Sequence, residues 1–481
     1  MEQILNYING KLVEPQSGEW IKNINPANGE HYSNIPLSGE SDVNAAVDAA
    51  KKAFPTWSNT PAGERSAIMA RLADLVAKNS RELALAESID NGKPVTLASN
   101  VDIPRAESNL RFFSSAIVHF ASEAHVMENS AVNYTNRKPL GVVACISPWN
   151  LPLYLFTWKI SPALAAGNCV VAKPSEITPM TAFLLGKLCI EAGLPAGVLN
   201  IVHGNGPITG NTMVEHPDVK AISFTGGTTT GAHIAAKAAP KFKKLSLELG
   251  GKNPNIIFAD CDFEETLNTT IRSSFANQGQ ICLCGSRIFV QKEIYEKFRD
   301  AFVEKTNRMT VGNPLNPKTK TGAVVSEPHM KKVLEYINIA KGEGGKVLAG
   351  GHQVVPDDQE IANGFYIQPT IIEGLDHTCR TNTEEIFGPV VTIMPFDTED
   401  DVIEMANHVR YGLSATIWTN NLKRAHRVSA RLDSGIAWIN CWLLRDLRTP
   451  FGGTKDSGVG REGGFEALRF FTEPQNVCIK L

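Results

Sequence analysis

The sequence predicts an α/β fold with two doubly wound sheets of parallel strands, and two observations indicate it. The chain has 481 residues, more than one hydrophobic core usually serves, so roughly two or three domains are expected. Between about residues 141 and 258, short β-branched runs alternate with helical patterns, which is typical of parallel strands joined by crossover helices. A second alternation of this kind begins near residue 250.

Each element of the first unit has its own signal. The segment 178–192 opens with Thr-Pro and stops at Gly193, which are the start and stop residues of a helix, and a second helical run follows glycines at 228–239. Helix-like segments upstream, at 41–54 and 62–88, are expected to pack onto the sheet. The predicted strands are 141–146, 169–172, 198–202 and 221–224.

The second unit is predicted from three strand-like and two helix-like segments. The strands are 255–258, 287–290 and 390–393, and the helices are 294–308 and 330–341. The polar stretch 122–138 and the tail 473–481 fit neither core, and their local pattern alone predicts loops.

Composition and charge exclude several classes of function. With 47 Lys and Arg against 50 Asp and Glu, the formal net charge is -3, which disfavours nucleic-acid binding. The start of the chain lacks a basic region leading into an apolar one, and no apolar run is long enough for a membrane span, so a cytoplasmic protein is expected. Nine scattered cysteines, an odd number, favour reduced thiols over a disulfide framework.

A thiol and a carboxylate provide the strongest chemical signal. Residues 275–282 read Phe-Ala-Asn-Gln-Gly-Gln-Ile-Cys, and Glu248 lies in the upstream segment Leu-Glu-Leu-Gly-Gly-Lys-Asn-Pro. These two groups make and then hydrolyse a thioester, although a buried cysteine is also a common core residue. If the segment is strand-like, Cys284 faces the same side as Cys282. A lone Cys-x-Cys lacks the second ligand pair of a zinc site, so no metal is expected.

Asn150 follows the first predicted strand in the sequence Pro-Trp-Asn-Leu-Pro, where its amide can donate to an oxyanion, or where it simply forms a turn. With these motifs in this order, from residues 6–10 to 450–453 and beyond, the chain resembles the aldehyde dehydrogenase superfamily. The resemblance implies NAD-dependent oxidation of an aldehyde to a carboxylic acid through a thiohemiacetal and a thioester on Cys282. It implies that Glu248 is the general base and that Asn150, with the Cys282 amide, binds the oxyanion.

The resemblance also implies a cofactor site. The alternative for Lys173 and Glu176 is a solvated surface turn, and the alternative for Phe387 is an aromatic residue of the core. Glu176, beside the ribose, favours NAD over NADP because a carboxylate repels a 2′-phosphate. Gly227 stands where many members carry Ser, and Lys159 resembles a lysine near the cofactor and a proton path. The implied cofactor-binding residues are Trp149, Lys173, Ser175, Glu176, Gly226, Gly227, Gly231, Leu249, Glu385 and Phe387.

By the same resemblance, 1–118 and 139–249 form an NAD-binding domain and 250–465 a catalytic domain. Residues 119–138 and 466–481 form a small β element that bridges subunits of a homodimer or homotetramer.

Two arginines predict the substrate class. Arg105 and Arg445 lie in segments expected to border the substrate tunnel, and arginine binds carboxylates bidentately. These segments resemble the 2-aminomuconic and 2-hydroxymuconic semialdehyde dehydrogenases, whose substrates carry a carboxylate. Asp102 and Asp446 are the alternative, purely structural partners of the arginines. Three other functions stay open: a broader or betaine aldehyde dehydrogenase, a catalytically silent relative, and a cofactor-free thiol hydrolase, which would need a histidine near the cysteine.

Overall fold

The structure is a computed structural model that describes residues 2–481, and its largest feature is a sheet of eight strands. Five neighbouring strands are parallel, while the outermost strands pair antiparallel. All four predicted strands of the first unit are confirmed. In spatial order the strands are Gly458–Val459, Lys244–Glu248, Val219–Thr225, Val142–Ile146, Cys169–Lys173, Leu199–Ile201, Asn6–Ile8 and Lys11–Val13.

Helices pack against this sheet, so the central strands are continuously apolar rather than alternating. The helix predicted over 62–88 is two helices, because the chain bends at Asn79, whose side-chain amide donates to the Leu75 carbonyl at 2.8 Å. The longer helices are Glu40–Asn59, Ala62–Lys78, Ser80–Asn91, Ile103–Ala116, Pro152–Ala165, Met180–Glu191 and Thr228–Ala238.

A second sheet has seven strands, of which six are parallel and one edge strand is antiparallel. The predicted strands and helices of the second unit are confirmed. The strands, in spatial order, are Lys346–Ala349, Thr370–Glu373, Val390–Phe396, Arg287–Gln291, Pro254–Ile257, Ser414–Trp418 and Ile436–Ile439. Its longer helices are Phe263–Phe275, Tyr295–Asn307, Glu327–Gly342, Glu399–Asn407 and Leu422–Ser429.

The polar stretch and the tail form a three-stranded antiparallel sheet, so the β element that the resemblance implies is confirmed and the loops that the local pattern predicts are wrong. Thr472–Lys480 pairs with Ala131–Pro139, which also pairs with Ala124–Met127. Exposed Val126 and Ile479 leave apolar surface on this sheet. Its role in bridging subunits stays a prediction, as does the division into domains.

The smaller elements complete the fold around these sheets. None of the helices formed by residues 2–481 combines the length and the apolar character that a membrane span requires. The remaining strands are Glu2–Gln3, Trp20–Asn25 and Glu30–Pro36 in one sheet, with the pairs Gln353–Val354/Tyr366–Ile367 and Tyr411–Gly412/Thr454–Lys455. The short helices are Val95–Leu97, Asn211–Glu215, Arg380–Thr383 and Gly464–Phe470, beside single 3-10 and π turns.

Candidate active site

Two cavities meet at Cys282, in the cleft between the two large sheets. One has a volume of about 480 Å³ and contains Glu248 and both predicted arginines in its wall. The other, of about 240 Å³, is lined by Trp149, Asn150, Gly226 and Glu385 among others. The larger sheet contributes residues at the carboxyl ends of its strands. The smaller sheet contributes Cys282 and Glu385 ahead of the strands that begin at Arg287 and Val390.

Cys282 lies in a turn and not in a strand, so the expected strand-like placing of Cys284 is wrong. The Cys284 amide donates to the Ile281 carbonyl at 2.9 Å, which closes this turn. The Asn253 side chain then donates to the carbonyls of Cys282 and Cys284 at 2.7 and 2.9 Å. The turn that carries Cys282 is therefore tied to the strand Pro254–Ile257 of the second sheet.

The surroundings of Cys282 disfavour its thiolate in the free protein. Burial raises the pKa of the thiol far above its usual range, and the carboxylates of Glu248 and Glu385 raise it further. Arg445 acts in the opposite direction. A group that accepts the thiol proton is therefore needed, and Glu248 is close enough to influence it electrostatically.

Glu248 ends the strand Lys244–Glu248 and lines the larger cavity. Burial, followed by the nearby Glu462 carboxylate, raises its pKa to about 8, although Lys159 and Arg445 oppose this shift. The carboxylate lies against Gly452, where a β-carbon would sit 2.9 Å from Glu248 Oε1. A carboxyl whose pKa is raised in this way is suited to exchange protons near neutral pH.

Glu462 belongs to a buried network that reaches Glu248 electrostatically. Lys159 Nζ donates to Glu462 Oε1 at 2.9 Å and to Ser223 Oγ at 3.1 Å. Ser223 Oγ in turn donates to Glu462 Oε1 at 3.0 Å. Lys159 thus influences the charge of Glu248 both directly and through Glu462. The sequence does not predict Glu462, because no local motif distinguishes it.

Hydrogen bonds hold both the side chain and the main-chain carbonyl of Asn150. Its Nδ2 donates to the Gln280 carbonyl at 2.9 Å, which leaves one of the two amide hydrogens for another acceptor. Its own carbonyl accepts from Asn277 Nδ2 at 2.9 Å and from Lys93 Nζ at 3.1 Å. The side chain that the sequence assigned to the oxyanion is therefore fixed in the wall that it shares with Cys282.

Aromatic rings close the smaller cavity. Trp149 packs edge-on against Phe387, with ring centroids 5.3 Å apart, and against His329 at 5.1 Å. Phe387 has a left-handed backbone with φ of 62°, and its carbonyl accepts a hydrogen bond from His329 Nε2 at 2.7 Å. Glu385 Oε1 accepts from the Gly251 amide at 2.8 Å. His329 was not predicted, because it contacts this loop from a distant helix.

The turn between the strand Val219–Thr225 and the helix Thr228–Ala238 is rich in glycine, and the space around each glycine differs. A β-carbon at Gly231 would lie 2.4 Å from Leu249 Cδ2, so a larger residue would force the Leu249 side chain to move. A β-carbon at Gly226 would meet the Phe224 ring at 2.4 Å, whereas Gly227 has no atom within 4 Å. Gly227 therefore faces open space at the start of the helix Thr228–Ala238, whose N-terminus favours phosphate.

The predicted ribose contacts lie on the neighbouring strand end, outside the walls of these two cavities. Lys173 Nζ donates to Glu176 Oε2 at 3.1 Å, and Ser175 Oγ accepts from the Ile177 amide at 3.2 Å. Glu176 lines a separate cavity of about 420 Å³. A single ligand that contacts the ends of the strands Val142–Ile146, Cys169–Lys173 and Val219–Thr225 must therefore be extended.

Arg445 has the environment of an anion-binding group. Its Nη1 donates to Tyr154 Oη at 3.2 Å, while its Nε and Nη2 are buried without a hydrogen-bond partner. Its guanidinium carbon lies 3.8 Å from the Phe451 ring centroid and 4.3 Å from that of Trp158. A buried donor without a partner is costly, so the site is suited to a carboxylate from outside the chain.

The structural partners proposed for the arginines have other partners. Asp102 forms a buried ion pair with Lys93, and Asp446 pairs with Arg448 at 2.6 Å. Arg105 lies in the same cavity wall with its guanidinium carbon 5.6 Å from the Tyr154 ring centroid. Arg272, which was not predicted, also lines this cavity. Among residues 2–481, no group of three or more His, Cys, Asp and Glu side chains is arranged to hold a metal.

Comparison with known proteins identifies the family of the chain. The profile described as "Aldehyde dehydrogenase family" matches residues 12–477. The chain is 51% identical over 477 residues to a 2-aminomuconic semialdehyde dehydrogenase of Danio rerio, covering 99% of this chain and 98% of the relative. It is 46% identical to a 2-hydroxymuconic semialdehyde dehydrogenase of Pseudomonas sp. (strain CF600), with 100% of each chain covered.

A solved structure has the same fold as this chain. The NAD⁺ complex of an aldehyde dehydrogenase from Bacillus cereus superposes with a TM-score of 0.97 and 39% sequence identity, covering 100% of this chain and 97% of that one. Together with the profile match and the thiol, carboxylate and amide around one cleft, this shows that the chain belongs to the aldehyde dehydrogenase family.

Proposed function

We propose that this protein oxidises a semialdehyde bearing a carboxylate to the corresponding dicarboxylic acid, with NAD as cofactor. 2-Aminomuconic or 2-hydroxymuconic semialdehyde is the substrate class, as the names of the two relatives suggest. The observation that carries the proposal is Arg445, whose Nε and Nη2 are buried in the cavity wall without a partner. A carboxylate supplies the bidentate acceptor that this guanidinium lacks.

The residues present fit a dinucleotide. Gly227 leaves open space at a helix N-terminus for a pyrophosphate, and Glu176 with Lys173 offers partners for ribose hydroxyls. Glu385 and Phe387 would hold the nicotinamide end in the cavity that reaches Cys282. NAD⁺, when bound, supplies the hydride acceptor for the oxidation. The cofactor-binding roles remain part of this proposal.

The chain's own residues account for the other steps. Glu248 takes the proton of the Cys282 thiol, and the sulfur adds to the aldehyde carbon while Asn150 Nδ2 and the Cys282 amide bind the oxyanion. Loss of hydride from that carbon leaves a thioester. Glu248 releases the thiol proton to solvent and then removes a proton from water, which adds to the thioester carbon and releases the Cys282 thiolate and the carboxylic acid. Arg445 and Arg105 bind the distant carboxylate throughout.

We further propose that the enzyme works as a homo-oligomer in the cytoplasm. The exposed sheet of Ala124–Met127, Ala131–Pro139 and Thr472–Lys480 offers apolar surface to a second copy. The nine free cysteines suit a reducing compartment.

Steady-state NAD⁺ reduction tests the substrate class. The rates are compared for 2-hydroxymuconic semialdehyde and an uncharged aldehyde of similar length, with wild type and Arg445→Ala. We expect a strong preference for the anionic aldehyde that Arg445→Ala removes. Arg448→Ala is the matched control, because Arg448 pairs with Asp446 on the surface. If wild type uses the neutral aldehyde as well as the anionic one, and Arg445→Ala behaves like wild type on both, the protein is a broader aldehyde dehydrogenase and Arg445 is structural.

A further inference from the structure

A buried charge cluster lies beneath the loop that carries Asn150. The side chains of Glu87, Lys93 and Asp102 are 0% exposed. Lys93 Nζ forms an ion pair with Asp102 and lies 3.6 Å from Glu87 Oε1. Burying three ionisable groups is costly even when they are paired, so the cluster needs a compensating role or further contacts.

The further contacts go to the loop that carries Asn150 and to the first turn of the helix Pro152–Ala165 that follows it. Lys93 Nζ donates to the Asn150 carbonyl at 3.1 Å, and Asn91 Nδ2 donates to the Trp149 carbonyl at 2.9 Å. Glu87 Oε2 accepts from the Leu153 amide at 3.2 Å. Residues 87–93, at the end of the helix Ser80–Asn91 and just beyond it, therefore hold the backbone at Trp149, Asn150 and Leu153.

The same lysine reaches the wall of the substrate cavity. Asp102 lines that cavity and ends the π turn Ala98–Asp102, which continues directly into the helix Ile103–Ala116. Arg105 lies in the first turn of that helix. Lys93 thus connects the peptide of Asn150 with the segment that carries one of the two proposed carboxylate ligands.

We infer that Lys93 is a positioning residue for the oxidation, which acts through Asn150 by fixing the peptide whose side-chain amide faces the oxyanion. The inference rests on the proposed function, since it needs an oxyanion at Cys282. Catalytic donors act only when they are aimed at the developing charge, and a displacement of about 1 Å can cost about a hundredfold in rate. Asn277 Nδ2 still holds the Asn150 carbonyl at 2.9 Å, so removing Lys93 loosens the loop without freeing it.

A double-mutant cycle between positions 93 and 150 tests the inference. Lys93→Met alone strands two buried carboxylates, so it is combined with Asp102→Asn, which removes an opposite charge and favours folding. We expect Lys93→Met/Asp102→Asn to lower kcat about tenfold to a hundredfold, with an unchanged Kd for NAD⁺ and an unchanged Tm. In an Asn150→Ala background the same pair of changes costs less than about threefold, because the positioned group is already absent.

Two controls separate the explanations. Lys78→Met/Glu191→Gln removes an ion pair of the same charges from the surface, so its kcat stays within about threefold of wild type. Asp102→Asn alone keeps the bond from Lys93 to Asn150, so its kcat stays above that of Lys93→Met/Asp102→Asn. Equal losses in both backgrounds, or no loss in the wild-type background, would overturn the role of Lys93. The kcat loss is expected on anionic and uncharged aldehydes alike, whereas failure of the proposed substrate class would change only the preference between them.

Discussion

The phenol oxygen of Tyr154 accepts a hydrogen bond from Arg445 Nη1 at 3.2 Å, across a separation of 291 residues in sequence. Tyr154 belongs to the helix Pro152–Ala165 of the first unit, and Arg445 follows the last strand of the second sheet. The phenol leaves Nε and Nη2 of the guanidinium unpaired toward the cavity. The orientation of the Arg445 guanidinium therefore depends on how the two units pack against each other.

Tyr154→Phe should weaken binding of the anionic aldehyde and leave the chemical step intact. The change removes the hydrogen bond that orients the guanidinium, so the substrate carboxylate has to order it, at a cost of about 0.5–1.5 kcal/mol or roughly twofold to tenfold in KM. Unchanged kcat is expected because Tyr154 does not contact the proposed reacting atoms. Steady-state kinetics on the anionic and uncharged aldehydes measure the split, and an equal rise in KM for both would contradict it.

Cys282→Ala should abolish turnover while Cys284→Ala keeps most of it. Of the two cysteines, Cys282 alone lines the two cavities that meet at the candidate site, whereas Cys284 is buried and held through its backbone by Asn253. NAD⁺ affinity, measured by titration calorimetry, should be unchanged in Cys282→Ala. A Cys284→Ala variant that folds normally but is equally inactive would show that the assignment of the nucleophile is wrong.

The sequence predicts most of the two large sheets because their buried parallel strands are continuous β-branched runs, as in Cys169–Lys173. It fails for Thr472–Lys480, whose partner strand begins at Ala131, because a polar strand paired over such a distance has no local signature. The site follows the same division. Cys282, Glu248 and Asn150 lie in distinctive motifs, whereas Lys93 and His329 act on backbone carbonyls far away in sequence, which no local pattern reveals.

Glu176→Ala should relax the discrimination against NADP. The carboxylate is paired with Lys173 at 3.1 Å, so its removal takes away a repulsive charge and frees the ammonium for a 2′-phosphate. We expect the ratio of kcat/KM for NADP to that for NAD to rise about tenfold, which corresponds to about 1.4 kcal/mol of changed interaction. Glu191→Ala is a matched control, since Glu191 pairs on the surface with Lys78. An unchanged ratio would place the ribose elsewhere.

The raised pKa of Glu248 sets the direction of the pH dependence. A base acts when ionised, and burial raises this pKa to about 8, so the steady-state rate should rise with pH through neutrality and level off above about pH 8. Glu248→Gln removes one of the charges that raise the pKa of the Cys282 thiol, so part of the thiol ionises at high pH and a burst of NADH should persist. Turnover should then stall because the water is not activated. Stopped-flow absorbance at pH 9 measures the burst and the steady rate. A variant that loses the burst but keeps a pH-dependent steady rate would assign hydrolysis of the thioester to another group.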